Sequence, residues 1–342
     1  MCNIFIKREI LFGYFRFFLA FCVLLSHIQN NYWGINIGVV SVIIFYMLAG
    51  FVVSGLFHKI FIVKTHPFYD FFCDRILRIY PLYAFALVVC AIFVFISNYG
   101  MPHFSWKAFF GHIFIIPLNY YMFFDWSVLQ SPKSELNHLT WSLGLELQAY
   151  LLLGLGIMFK RLLWLLFGLS LLVFIASVFG VLDSDIFGYR LIFGVFFIFV
   201  IGYFIECFLF RKTKEKWRYF WGVFFIFCLF VGFVFVQQKW HLVTLGVHSR
   251  EVILGVILGI LALFCLGKLN KKIKIPYNSF FGALSYGIFL THTPSMWILD
   301  YLGVKQSTSF GYIFTLLICS ILLALIGIFT IESPLQSYFR RK

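Results

Sequence analysis

Ten apolar runs, each roughly twenty residues long and parted by short polar stretches, decide what this chain can fold into. A run of that length crosses the ~30 Å hydrocarbon core of a bilayer as an α-helix. A lipid-exposed helix also satisfies its own backbone N–H and C=O groups, which an open strand in lipid does not. The runs cover approximately residues 10–29, 36–57, 79–97, 139–158, 162–181, 188–210, 219–236, 251–267, 279–299 and 309–331. They predict an all-α polytopic membrane protein, a bundle of about ten transmembrane helices. Composition agrees: 62 % of the 342 residues are apolar and 12 % charged, with a mean hydropathy of +0.97. The expectation is one integral-membrane domain over 1–342 with no appended soluble domain.

The net charge of +14 would suit a nucleic-acid binder, but its placement argues against one. Basic residues cluster in alternate connections: Lys59, Lys64, Arg75 and Arg78; Lys160 and Arg161; Arg211, Lys212, Lys214, Lys216 and Arg218; Lys268, Lys271, Lys272 and Lys274. Lys7, Arg8, Arg340, Arg341 and Lys342 add to the same side, whereas the other side holds Lys107, Lys133, Lys239, Arg250 and Lys305. By the positive-inside rule both termini face the cytoplasm. The first run lacks a small-x-small cleavage site and reads as a retained helix. The eight cysteines are dispersed with no C-x-x-C pair, so they read as small packing residues; no metal site is expected.

Ionisable residues inside spans are costly, and several stand here in a pattern. Arg16 and His27 lie in the first run with ten residues between them. Eleven helical steps of ~100° bring both to one face, about 16 Å apart along the axis. An arginine near a helix end also snorkels to the surface, and a histidine near the other end also serves as an interfacial structural residue. Arg75 and Arg78 form an R-x-x-R pair just before the third run. Three residues apart, they are placed to grip a phosphate together or to anchor topology. Glu146, five residues into the fourth run after Trp141, and His292 in the ninth run sort by depth with His27 in the outer half, whereas the arginines sort inward. That sorting fits a phosphorylated donor held from the cytosol and base-assisted chemistry near the outer face.

The longest connection, 98–138, is rich in aromatic residues, including Trp106, Phe109, Phe110, Tyr120, Tyr121 and Trp126. It predicts a short interfacial helix or re-entrant cover, serving as an anchor or a substrate lid. Gly255 and Gly259 give a G-x-x-x-G spacing that predicts close helix packing.

Five motifs in order carry a family resemblance: Arg16-x10-His27; Phe45-Tyr-Met-Leu-Ala-Gly50-Phe-Val-Val-Ser54; Arg75-x-x-Arg78 with Ile79-Tyr80-Pro81; Trp141-Ser-Leu-x-x-Glu146; and Ser285-Tyr-Gly-Ile-Phe-Leu-x-His292. The chain resembles the membrane acyltransferase-3 family of bacterial glycan O-acyltransferases from about Leu11 to Pro334. The resemblance implies an acyl-CoA donor, usually acetyl-CoA, no metal, and a saccharide acceptor: O-antigen (lipopolysaccharide), capsule or exopolysaccharide, free or lipid-linked. It places the protein in the bacterial cytoplasmic (inner) membrane, among lipid, with its active region toward the outer face. It further implies His27 as catalytic base with Arg16 as motif partner and Glu146 beside them. Arg75 and Arg78 would bind coenzyme A phosphates, and Trp141, Ser142, Tyr286 and His292 would serve the acceptor or acyl group. One departure is Ala49-Gly50, where the family usually has Ser-Gly; Ala49 is assigned no polar role. The expected reaction is attack of a sugar hydroxyl on the thioester with neutral His27 taking the proton; an acyl-enzyme on Ser142 or His27 is the other route. A proton-coupled transporter or glycan flippase using the same polar residues is the competing reading.

Overall fold

Each apolar run becomes a helix, because in a chain this poor in polar residues only intrahelical bonding satisfies the buried backbone. A computed structural model of the chain describes residues 12–29, 31–212, 214–240, 245–269 and 276–341. Its α-helices are α1 Phe12–Ile28, α2 Ile37–Leu56, α3 Pro67–Ser97, α4 Trp106–Phe114, α5 Trp141–Met158, α6 Lys160–Val178, α7 Ile192–Phe210, α8 Lys216–Trp240, α9 Ser249–Leu269, α10 Asn278–Tyr301, α11 Phe310–Gly327 and α12 Ser333–Arg341. Among the described residues, eight helical stretches are long and apolar enough to cross a membrane. The protein is an all-α integral membrane protein. Two of the ten runs fall outside that set. α1 is described over 17 residues, and α10 spends its length on Asn278, Ser285, Thr291, His292, Thr293, Pro294 and Ser295. These two helices carry Arg16, His27 and His292.

The chain divides into two units, one formed by Asn31–Cys73 and Gln148–Pro276, the other by Phe12–Asn30, Asp74–Leu147 and Tyr277–Lys342. The first is built around α7, whose residues from Ile192 to Cys207 are buried. α2 lies so close to α7 that a Cβ on Gly202 would stand 2.0 Å from the Met47 carbonyl oxygen, so no larger residue fits. The expected G-x-x-x-G packing is observed: α9 meets α2 with Gly255 against Ile43 and Gly259 against Met47. Within this unit Arg211 pairs with the buried Glu206 at 2.8 Å and Arg190 with Asp185 at 2.9 Å.

The second unit holds every candidate site residue. It packs α1, the Asp74–Ser97 part of α3, α10 and α11, with the 98–140 connection at one end. That connection contains the expected short helix, α4, then a 3-10 turn at Ile116–Tyr120, a two-stranded ribbon (β1 Leu129–Gln130, β2 Lys133–Ser134) and a 3-10 turn at His138–Thr140.

One boundary needs correction. The third helix starts at Pro67, not near residue 79, so Arg75 and Arg78 lie inside it. Pro67 suits a first helical turn, where its missing N–H costs nothing, and Asp70 complements the dipole there. Pro81 is carried within the helix, and the hydroxyls of Tyr80 and Tyr83 tie its flank to the carbonyls of Ile113 (3.0 Å) and His112 (2.6 Å). The last run also continues beyond 331, through a π turn at Ile328–Glu332 into α12.

Candidate active site

α1 and α10 lie side by side in the same direction. The Gly13 N–H donates to Asn278 Oδ1 at 2.8 Å, and a Cβ on Gly13 would sit 1.9 Å from the Asn278 carbonyl oxygen. Tyr14 stacks on Phe281 with centroids 4.3 Å apart. Fourteen residues after Gly13, the same 265-residue offset sets His27 against His292, ring centroids 5.1 Å apart. Fourteen residues is two heptads, the interval at which parallel helices return the same face to each other.

The third ring comes from the 3-10 turn. His138 stands 5.4 Å from His27, edge to face. The three imidazoles form a file from surface to interior: His138 is exposed, His27 partly covered, and His292 fully buried.

Local structure fixes each member. His27 occupies the last turn of α1, where carbonyls lack helical partners. Gln306 Nε2 donates to the His27 and Ile28 carbonyls at 3.0 and 3.1 Å. His292 Nδ1 donates to the Ile288 carbonyl at 2.9 Å, leaving Nε2 as an acceptor with no donor among the described residues. Pro294 has no N–H to give the Leu290 carbonyl four residues back. Asn137 Nδ2 takes that place at 3.0 Å, fully buried. Asn137 also starts the turn that carries His138, its Oδ1 accepting from Leu139 N at 3.3 Å and its carbonyl from Thr140 Oγ1 at 2.6 Å. One asparagine therefore repairs the proline gap in α10 and seats His138.

α4 holds the approach to that turn. His112 Nδ1 donates to the Ala108 carbonyl at 2.7 Å while Nε2 accepts from Leu136 N at 3.2 Å. Both ring nitrogens are used only while the ring is neutral, and burial pushes its pKa below the usual 6.5.

The arginines lie toward the other end of the unit. Arg75 Nε donates to its neighbour Asp74 at 3.1 Å. Arg78 pairs with the buried Glu332 of the π turn, and Gln336 Nε2 donates to the same Glu332 Oε1 at 2.9 Å. The Arg78 guanidinium also lies 5.6 Å over the Tyr286 ring, whose hydroxyl donates to the Ile79 carbonyl at 2.9 Å. Arg16, three residues past Gly13, is partly exposed and makes no hydrogen bond or ion pair among the described residues.

The acyltransferase domain that defines the acyltransferase-3 family matches residues 12–330 of this chain. The chain belongs to that family. It is a membrane acyltransferase. A protein of Aquifex aeolicus (strain VF5), described as uncharacterized, is 34 % identical over 198 residues, covering 57 % of this chain and 86 % of its own length. No solved structure matches.

Within this acyltransferase the expected residues divide between two places. His27 and His292 come together. Trp141, Ser142 and Glu146 follow His138 directly on α5; Trp141 and Ser142 are buried and Glu146 is partly so. The Ser142 hydroxyl donates to the Leu139 carbonyl at 2.9 Å. Tyr286 stands with Arg78, six residues and about 9 Å along α10 from His292. Sequence reasoning missed His138, Asn137, Gln306 and Glu332. For the first two a signal existed: asparagine before a helix is a strong cap, and a proline within α10 leaves a carbonyl seeking a donor. For Gln306 and Glu332 there was none.

Proposed function

We propose that this acyltransferase moves an acyl group, acetyl in the simplest case, from acyl-CoA to a saccharide hydroxyl, with His27 as general base. The observation that carries the reading is the imidazole file: the middle ring is partly open, and the other two are packed against it at 5.1 and 5.4 Å. As the sugar oxygen attacks the acyl carbon, its proton passes to His27. The C–O bond forms and the C–S bond breaks. His27 then returns the proton to the departing thiolate, giving the ester and free coenzyme A with no net proton change.

Arg75 and Arg78 hold the donor phosphates. A guanidinium has five N–H donors, so Arg78 keeps some for phosphate while bound to Glu332. Arg16 offers an unpaired charge between the phosphates and His27. Trp141, Ser142 and Glu146, next to His138, line the acceptor side. The clustering of basic residues in alternate connections supports the reading of the arginine end as cytosolic and the histidine end as outer in the bacterial cytoplasmic membrane. The acceptor is therefore a surface or lipid-linked glycan.

The test is transfer of label from isotopically labelled acetyl-CoA to surface polysaccharide stripped of its esters, catalysed by the purified protein in detergent. Ester-linked label with wild type and none with His27→Ala is expected. Equal transfer by His27→Ala refutes the base; no transfer by either refutes this donor and acceptor.

A further inference from the structure

We infer that His292 is a positioning residue for His27, its Nε2 accepting the N–H of the His27 ring and so fixing which nitrogen acts as base. The inference rests on the reading of His27 as base and deepens it. Three observations carry it. The Ile288 carbonyl takes the proton on His292 Nδ1, which makes Nε2 a pure acceptor. That nitrogen is fully buried with no donor among the described residues, so it is open to one from a ring packed against it. His27 is the ring against it. With centres 5.1 Å apart, the two imidazoles are close enough for a ring nitrogen of His27 to reach His292 Nε2 once the rings turn to face each other.

The order of the file gives the direction. His292 lies behind His27 and His138 in front, at the exposed end. With one nitrogen of His27 donating inward, the other is bare and faces the side from which an acceptor arrives. When that nitrogen takes the hydroxyl proton, the inward N–H remains bonded to His292. The ring does not turn before the proton reaches the thiolate. His292 thus does for His27 what a carboxylate does in hydrolase triads, with a neutral acceptor in a setting that would penalise a buried charge. The backbone carbonyl of Ile288 sets the tautomer of His292, and the packing of α10 on α11 holds its helix, with Thr291 Oγ1 donating to the Ser320 carbonyl at 2.8 Å.

The experiment reads the His27 ring directly. Protein labelled with 15N-histidine in nanodiscs is compared as wild type, His292→Phe, His292→Met and His292→Gln, with His27 signals assigned by their loss in His27→Ala. Wild type should show one tautomer of His27. Phe fills the space without an acceptor, and Met does so flexibly should Phe fail to fold; either should give a mixture. Gln places an amide oxygen near the position of Nε2 and should restore the single tautomer. With labelled acetyl-CoA and de-esterified polysaccharide, kcat should fall about 10–100-fold in the Phe or Met variant, the range for loss of an orienting partner, and recover with Gln. KM for acetyl-CoA should stay within about twofold, because the acceptor bond does not touch the donor phosphates. Unchanged His27 signals in the Phe or Met variant overturn the inference. Full activity of His27→Ala overturns the base assignment instead, so the two failures are distinct.

Discussion

The second unit has two polar ends that solve opposite problems. At the arginine end the guanidinium groups have carboxylate partners: Arg75 has Asp74, and Arg78 has Glu332, with Gln336 on the same carboxylate oxygen and the Tyr286 ring beside it. At the histidine end, among the described residues, no carboxylate pairs with His27 or His292 and the buried Nε2 of His292 has no donor. The matched end holds structure and, in the proposed mechanism, grips the donor by sharing its N–H groups. The unmatched end keeps nitrogen lone pairs free of a carboxylate, which the proposed general base would use. The same helix, α10, serves both.

Breaking the histidine end should have the largest effect. His27→Ala should lower transfer about 10²–10⁴-fold, the span of general-base contributions, while leaving coenzyme A affinity and protein yield unchanged. Turnover assays beside calorimetric binding check this; a parallel loss of donor binding would erase the distinction between the two ends.

The arginine end should respond in stability as well as binding. Arg78→Ala strands the buried Glu332 carboxylate, at a cost of about 3–5 kcal/mol. Arg75→Ala releases only Asp74, which is 42 % exposed, and should cost about 0–1 kcal/mol. Each should weaken coenzyme A binding through a lost charged hydrogen bond, worth about 1.5–3 kcal/mol. Adding Glu332→Gln to Arg78→Ala should return stability without returning affinity. Thermal unfolding in detergent with and without coenzyme A separates these effects.

A smaller effect belongs to the asparagine that joins α10 to the turn of His138. Asn137→Ala leaves the Leu290 carbonyl buried without a donor, about 1–3 kcal/mol. Pro294→Ala supplies the missing N–H, so the double variant should be more stable than Asn137→Ala alone. If it is less stable, the carbonyl repair is not what Asn137 provides.

The smallest effect is one of pH. Burial holds His112 below its ordinary value of 6.5. Between its own lower pKa and 6.5 the unfolded chain binds a proton that the folded chain refuses. Stability from this ring is therefore complete above pH 6.5 and declines as pH falls below it. Denaturation at pH 7.5 and 5.5 should show a shallower pH slope in His112→Gln than in wild type; equal slopes would mean that the bond to Leu136 is not sensitive to protonation.

Much of this was legible in the sequence, for identifiable reasons. Membrane helices announce themselves because the bilayer demands length and apolarity, and the G-x-x-x-G of α9 gave its packing because only small residues allow that approach. Counting residues along the runs put His27 and His292 at a similar level, but their adjacency could not be read that way. It depends on Gly13 and Asn278 setting the register of α1 and α10, and that is a property of two surfaces rather than of either run. The start of α3 was hidden because Asp70, Asp74, Arg75 and Arg78 break the apolar pattern while the helix continues through them. Glu332 pairs with Arg78 across 254 residues, a separation at which no local pattern reports.

The most direct test of acyl transfer through His27 is mass spectrometry of surface glycans. Cells lacking the gene are compared with the same cells complemented by wild type and by His27→Ala. Transfer through His27 should give an ester-linked acyl mass that is absent in the deletion, restored by wild type and still absent with His27→Ala. Identical acylation in all three strains would contradict it.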